Sequence, residues 1–113
     1  MPVTRKEVIW VGSSYADLRV FPDTARQRLG RDLHKVQMGG QPPNWRPMNT
    51  VGPGVIEIRV MAEGAFRLIY VAKFAEGIYV LHVFQKKGRK TSPLDLELAR
   101  ARFKAAVRLR QEK

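Results

Sequence analysis

Glu57 and Arg59 stand two residues apart in a stretch where Ile56, Ile58 and Val60 alternate with them. An extended backbone therefore puts the carboxylate and the guanidinium on one side and the apolar residues on the other. Such a pair is either a plain ion pair or a general base next to an anion-holding group. Arg67 follows about one hairpin later, where antiparallel pairing could bring it beside Arg59. Two arginines on one face make a clamp for a phosphate. His82 and Phe84 also share a face. The imidazole suits acid–base work or a satisfied core position, and the aromatic ring suits stacking on a base or packing. Lys86, Lys87, Arg89 and Lys90 crowd around Gly88, as a phosphate-friendly cluster or a solvated strand end. His34, next to the helical position Leu33, reads as surface. Trp45 either pins its proline-rich loop or touches a partner.

The charge balance narrows the partner. Twenty-one Lys and Arg against ten Asp and Glu give a formal charge of +11 and a pI near 10.7. In 113 residues such an excess costs self-repulsion and points to a polyanion, an acidic protein, or both, with a merely solubilising surface as the plain alternative. The basic residues are scattered along the chain, unlike those of an amphipathic membrane-surface helix. No cysteine is present, which excludes disulfides, thiolate catalysis and cysteine-ligated zinc and suits a reducing cytoplasm. The apolar stretch near the N-terminus is too short for a signal peptide, and no window approaches a membrane span. A single soluble domain over residues 1–113 is expected.

The elements that must carry these groups follow from periodicity and punctuation. Residues 5–11 read as a strand, Gly12-Ser13-Ser14 breaks it, and a short helix is expected over residues 15–20. Pro22 suits the first position of a second helix, on which Ala25, Leu29, Leu33 and Val36 make one buried stripe while Arg26, Arg28, Arg31 and Lys35 point elsewhere. Gly39-Gly40 ends it. Residues 41–54, with four prolines, read as an ordered loop. Strands are expected over residues 55–61, 65–74 and 77–85, joined by tight turns. Ser92-Pro93 caps and opens a last helix, with Asp95 at the capping-box spacing. Leu96, Ala99, Phe103 and Ala106 form its buried stripe, with Arg100, Arg102, Lys104, Arg108 and Arg110 mostly exposed. The class is α+β: N-terminal strand, two helices, a meander of about three antiparallel strands, C-terminal helix. Helices on one face would leave the other open as a platform for a ligand.

Read in order, several stretches resemble the RelE/HigB superfamily of ribosome-dependent mRNA interferases, most closely its phage-derived, HigB-like branch. They are Ile9-Trp10-Val11-Gly12-Ser13-Ser14, Leu18-x-x-Phe21-Pro22, Ala25-Arg26 with Leu29-Gly30, and Gly52-Pro53-Gly54-Val55-x-Glu57-Ile58-Arg59. Phe66-Arg67-Leu68-Ile69-Tyr70-Val71-Ala72-Lys73, Val80-Leu81-His82-Val83-Phe84-Gln85-Lys86-Lys87 and Leu98-Ala99-Arg100-x-Arg102 complete the set. The resemblance implies a RelE-like fold and the toxin of a type II toxin–antitoxin pair, an endoribonuclease that cuts translated mRNA in the ribosomal A site. Its partners would be mRNA, the ribosome and a cognate antitoxin. The chemistry implied is attack of the ribose 2′-OH on the adjacent phosphate with loss of the 5′-oxygen, without metal or cofactor.

On that resemblance Arg67 matches the phosphate-binding arginine of the family, and Arg59, Glu57 and Lys87 join it as catalytic candidates. Lys86, Phe84, Arg89, Lys73 and His82 are the RNA-binding candidates. No obvious acid–base pair stands out. The charge alone would equally suit a non-catalytic RNA- or ribosome-binding protein. A DNA-binding regulator fits least, since the second helix runs into a strand meander with no helix-turn-helix pattern.

Overall fold

A computed structural model describes residues 5–112. Their chain order is β1 (Val8–Trp10), α1 (Ser14–Arg19), α2 (Asp23–Gln37), β2 (Trp45–Pro47), β3 (Val55–Met61), β4 (Ala65–Val71), β5 (Ile78–Lys86) and α3 (Pro93–Gln111). The α+β class and the order of elements agree with the sequence reading. The five strands form one sheet in the order β1-β5-β4-β3-β2. β1 lies parallel to β5, and every other pairing is antiparallel. No helix among the described residues is long and apolar enough to cross a membrane.

Two expectations are corrected. The proline-rich segment is not all loop: Trp45, Arg46 and Pro47 pair with Ile58, Glu57 and Ile56 as a short edge strand. An edge position tolerates Pro47, because its missing N–H costs no ladder bond on the solvent side. The helices also do not share one face. The stripe of α2 (Ala25, Leu29, Leu33, Val36) packs with Leu18 of α1 on Ile58, Val60, Phe66, Leu68, Tyr70 and Val80. Ala99 and Ala106 of α3, with Leu96 and Phe103 beside them, pack on the opposite face against Val55, Ile69, Val71, Tyr79 and Leu81. A strand pair that is apolar on both sides cannot leave either side in water, so β4 and β5 draw a helix to each face. Leu29 has no exposed surface, and its truncation to alanine would cost about 2–5 kcal/mol.

The β4–β5 ladder holds an irregularity that decides what the second face carries. Ile69 pairs with His82 but the next residue, Tyr70, pairs with Val80, so Leu81 is the extra residue of a bulge. Strict alternation from Tyr79 and Leu81 would send His82, Phe84 and Lys86 to the α2 side. The bulge flips them to the α3 side, and Val83 instead joins the α2 core.

Helix α3 begins as expected. The Ser92 hydroxyl accepts the Asp95 backbone N–H at 3.1 Å, with Pro93 at the first helical position. Its N-terminus lies beside His82, beyond the apolar rows that the rest of the helix covers.

Candidate functional site

The α3 face of the sheet changes from apolar to charged along the strands. Arg46 of β2 pairs with Glu57 of β3, Glu57 with Ile69 of β4, and Ile69 with His82 of β5. One row on, Arg59, Arg67 and Phe84 stand side by side across three strands, and Lys86 lies opposite Ala65 in the row after that. The structure thus brings Glu57, Arg59, Arg67, His82, Phe84 and Lys86 into one patch and adds Arg46. Sequence reasoning missed Arg46 because it sits in the segment read as loop.

Glu57 is the hub. Its side chain is 2% exposed, and Oε1 accepts the Arg59 Nε–H at 3.0 Å while Arg67 Nε lies 3.7 Å away. Two guanidiniums directly opposite each other repel; the carboxylate oxygen beside both is what makes the arrangement tolerable. Charge compensation is incomplete, since three guanidiniums face one carboxylate. Burial pushes the Arg67 guanidinium below the ordinary arginine range, Glu57 opposes that shift, and Arg59 and Arg46 reinforce it. Arg67 donates through Nη1 to the Phe66 carbonyl at 3.1 Å, but its Nε and Glu57 Oε2 are buried without a hydrogen-bond partner among the described residues. Buried polar atoms in that state are costly and mark a site that gains from a ligand. Arg59 is the member nearer to solvent, with 23% of its side chain exposed against 8% for Arg67.

His82 is held from both sides. Nε2 lies 2.7 Å from Asp95 Oδ1, and Arg102 Nη1 faces Nδ1 at 3.5 Å. A carboxylate accepts, so Nε2 is the nitrogen that donates to Asp95. The ring stacks on Phe84 with centroids 4.8 Å apart and planes 15° apart. One face of Phe84 is therefore occupied, and the ring is buried with only 7% of its surface exposed, as part of the α3-side apolar cluster. Arg102, expected to be exposed, is half-buried. It donates to the Leu81 carbonyl at 3.1 Å and to Ser13 Oγ at 2.9 Å, tying α3 to β5 and to the turn before α1. Gly12 permits that approach, because its φ is +59° and a Cβ there would come within 2.7 Å of Arg102 Nε. Asp95, read only as a cap, holds the Ser92 hydroxyl and His82 together.

The basic segment after β5 lies at the same end of the sheet. Lys86 Nζ donates to the Arg89 carbonyl at 2.6 Å, which curls the segment back on itself, while Lys87 and Arg89 are exposed. Lys73 is not in the patch. It follows the far end of β4, with its Nζ 5.4 Å from the Phe74 ring centroid, six positions along the chain from Arg67. No group of three or more His, Asp or Glu side chains among the described residues is arranged to hold a metal ion.

The patch can hold a phosphate between Arg59 and Arg67, with a carboxylate oxygen and a stacked aromatic pair close by. No curated protein matches the chain. A family model described as "Phage derived protein Gp49-like (DUF891)" matches residues 16–104, from the first helix into the last and across every residue of the patch. With well over half of its length matched, the chain belongs to the phage-derived Gp49-like family.

Proposed function

We propose that this protein is the toxin of a type II toxin–antitoxin pair, of RelE/HigB type and nearest the HigB-like branch, and that it cuts translated mRNA in the ribosomal A site. The observation that carries the reading is the pairing of Arg59 with Arg67 around the buried carboxylate of Glu57, on a protein of charge +11. Membership of a phage-derived family supports it, as does the resemblance of the ordered motifs to those of the interferases.

In this reaction the ribose 2′-oxygen forms a bond to phosphorus and the bond from phosphorus to the 5′-oxygen breaks. The 2′-OH gives up its proton and the leaving oxygen takes one. Arg59 meets the scissile phosphate from the solvent side, and Arg67 backs it with a second fork, neutralising charge as phosphorus becomes pentacoordinate. Glu57 takes the 2′-OH proton, which requires its Oε2, buried and without a partner among the described residues, to be uncovered as substrate seats against Arg59. Lys87, with Lys86 beside it, steadies charge on the leaving oxygen. Arg89 and Lys86 hold backbone phosphates, and the exposed edge of the buried Phe84 ring, fixed by His82, is the part left to meet a base.

The engagement of both His82 nitrogens favours a second reading, a non-catalytic RNA- or ribosome-binding protein. Expressing the gene alone and mapping mRNA ends separates the two. Growth arrest with new ends inside translated messages, absent from untranslated copies, supports the toxin. Equal cutting of naked and ribosome-bound message overturns the A-site reading, and intact message with ribosomes still bound favours the second. A small antitoxin with an acidic or amphipathic contacting segment is the expected protein partner.

A further inference from the structure

Beside the edge of β3 lies a cleft of about 370 Å³ that shares only Arg59 with the site above. β2 pairs with Ile56–Ile58, and just before it the Asn44 carbonyl accepts the Arg59 N–H at 2.9 Å; Arg59, Val60 and Met61 line the cleft together with residues of α2. The lining divides by chemistry. Arg28, Arg31 and Lys35 of α2 supply positive charge, and Pro43, Val60 and Met61 supply apolar wall. Asn44 adds an amide, and Asp32 adds a carboxylate that retains only 8% of its exposure.

Asp32 needs an explanation. The residue is largely buried, yet its carboxylate oxygens are not cut off from solvent and it takes part in no ion pair among the described residues, so they open to the cleft unpaired. Its cationic neighbours lie too far away to bond it. Arg28 spends its Nη1 on the Met61 carbonyl at 2.7 Å, closing one end of the cleft. A simple anion would find the cations welcome but would be repelled by Asp32. A ligand with a negative group at one end and adjacent N–H donors at the other satisfies both. A guanine nucleotide is such a ligand: N1–H and the 2-amino group give a carboxylate two donors side by side, the ring lies on apolar wall, and the phosphates meet Arg28, Arg31 and Lys35. The volume lies in the range of about 300–1,000 Å³ typical of small-molecule sites.

Arg59 lines this cleft and also binds Glu57 at 3.0 Å. The cleft and the arginine clamp therefore meet at the sheet edge, and one strand can run round it from one to the other. We propose that this cleft is a subsite for a guanine-bearing nucleotide of single-stranded RNA, read by Asp32, on the strand whose backbone the Arg59–Arg67 clamp holds. The proposal rests on the nucleic-acid reading of that clamp and adds to it a base preference.

Heteronuclear NMR titration of the full chain, without ribosomes, tests it with the pentaribonucleotides UUGUU and UUAUU, guanosine 5′-monophosphate, inorganic phosphate and hexaglutamate. UUGUU is expected to shift the amides of Arg28–Lys35 and Asn44. It should bind about tenfold more tightly than UUAUU, as expected for a bidentate carboxylate contact to one base. Asp32→Asn brings that ratio close to one while the spectrum stays folded. Arg31→Ala with Lys35→Ala weakens both RNAs alike. Equal affinity for the two RNAs, or a preference that survives Asp32→Asn, overturns the proposal. Equal shifts from inorganic phosphate reduce the cleft to an anion site, and guanosine monophosphate binding as tightly as UUGUU makes it a free-nucleotide site; both are failures. Shifts from hexaglutamate with none from RNA assign it to an acidic protein. Since no cleavage is measured, a loss of base preference here is distinct from a failure of ribosome-dependent cutting.

Discussion

On the proposed reading, replacing Arg67 by alanine should separate chemistry from binding, and the contacts of Arg67 bound the structural loss. Arg67 Nε stands 3.7 Å from Glu57 Oε1, whereas Arg59 keeps its own 3.0 Å bond to the same oxygen. Truncation therefore leaves the buried carboxylate paired. The structural loss is the Nη1 bond to the Phe66 carbonyl and some packing, roughly 1–3 kcal/mol, and the domain should stay folded. A contact made mainly in the transition state is worth about 3–4 kcal/mol, so single-turnover cleavage on programmed ribosomes should fall roughly a hundred- to thousandfold. Ribosome affinity, shared among twenty-one Lys and Arg, should change little by co-sedimentation. Arg67→Lys should recover only part of the rate, because an ammonium restores the charge without the fork. Glu57→Gln is the poorer probe. It removes the carboxylate from beside two guanidiniums, and breaking such a buried group typically costs about 3–5 kcal/mol, so lost activity would be confounded with lost fold. A folded, ribosome-bound Arg67→Ala protein that cuts at close to the native rate would refute the placement of the clamp at the reacting phosphate.

Lys86→Ala combined with Lys87→Ala should weaken RNA binding evenly across sequences and reduce the salt slope by up to about two, measured as log affinity against log salt; an unchanged slope would exclude both from phosphate contact. Asp32→Asn should raise the melting temperature at neutral pH. Burial lifts the Asp32 carboxyl above its usual range, so its ionisation costs stability as pH rises through the folded value, and the gain should vanish below the ordinary carboxylate range. Glu76 has the opposite sign: its hydrogen bond from Arg110 holds it down to about 2 from an ordinary 4.5. That contribution is present above the ordinary value and lost as pH falls from 4.5 toward 2, so Arg110→Ala should flatten the acid limb of a stability–pH curve and expose amides at the end of α3 to hydrogen exchange.

Much of the scaffold was legible because it depends on neighbours in the chain. The α2 stripe from Ala25 to Val36, the alternation that puts Glu57 and Arg59 on one side of β3, and the Ser92–Pro93 start of α3 are local patterns with local causes. The prospect of Arg59 beside Arg67 also followed from a short hairpin, which sets register by its length, and the two are direct partners. The excess of positive charge required no fold at all.

The rest was decided by contacts between residues far apart in sequence. No pattern within β5 announces the bulge at Leu81, since an extra residue has meaning only against the partner strand; yet that residue turns His82, Phe84 and Lys86 onto the face of the clamp. Edge strand β2 exists because β3 offers it an open edge, which is how Arg46 joins the patch and why a proline-rich segment is not all loop. Lys73 looked equivalent to the other basic residues by type, but strand length carries it to the far end of β4. The burial of Glu57, Arg67 and Asp32 is equally invisible in sequence, where each is simply a charge. Periodicity determined that this chain folds as an α+β domain, and composition determined its large positive charge. Which of its charges are desolvated, and so able to act strongly on one phosphate, was set by tertiary packing, because burial and strand register are properties of the assembled sheet and not of any segment alone.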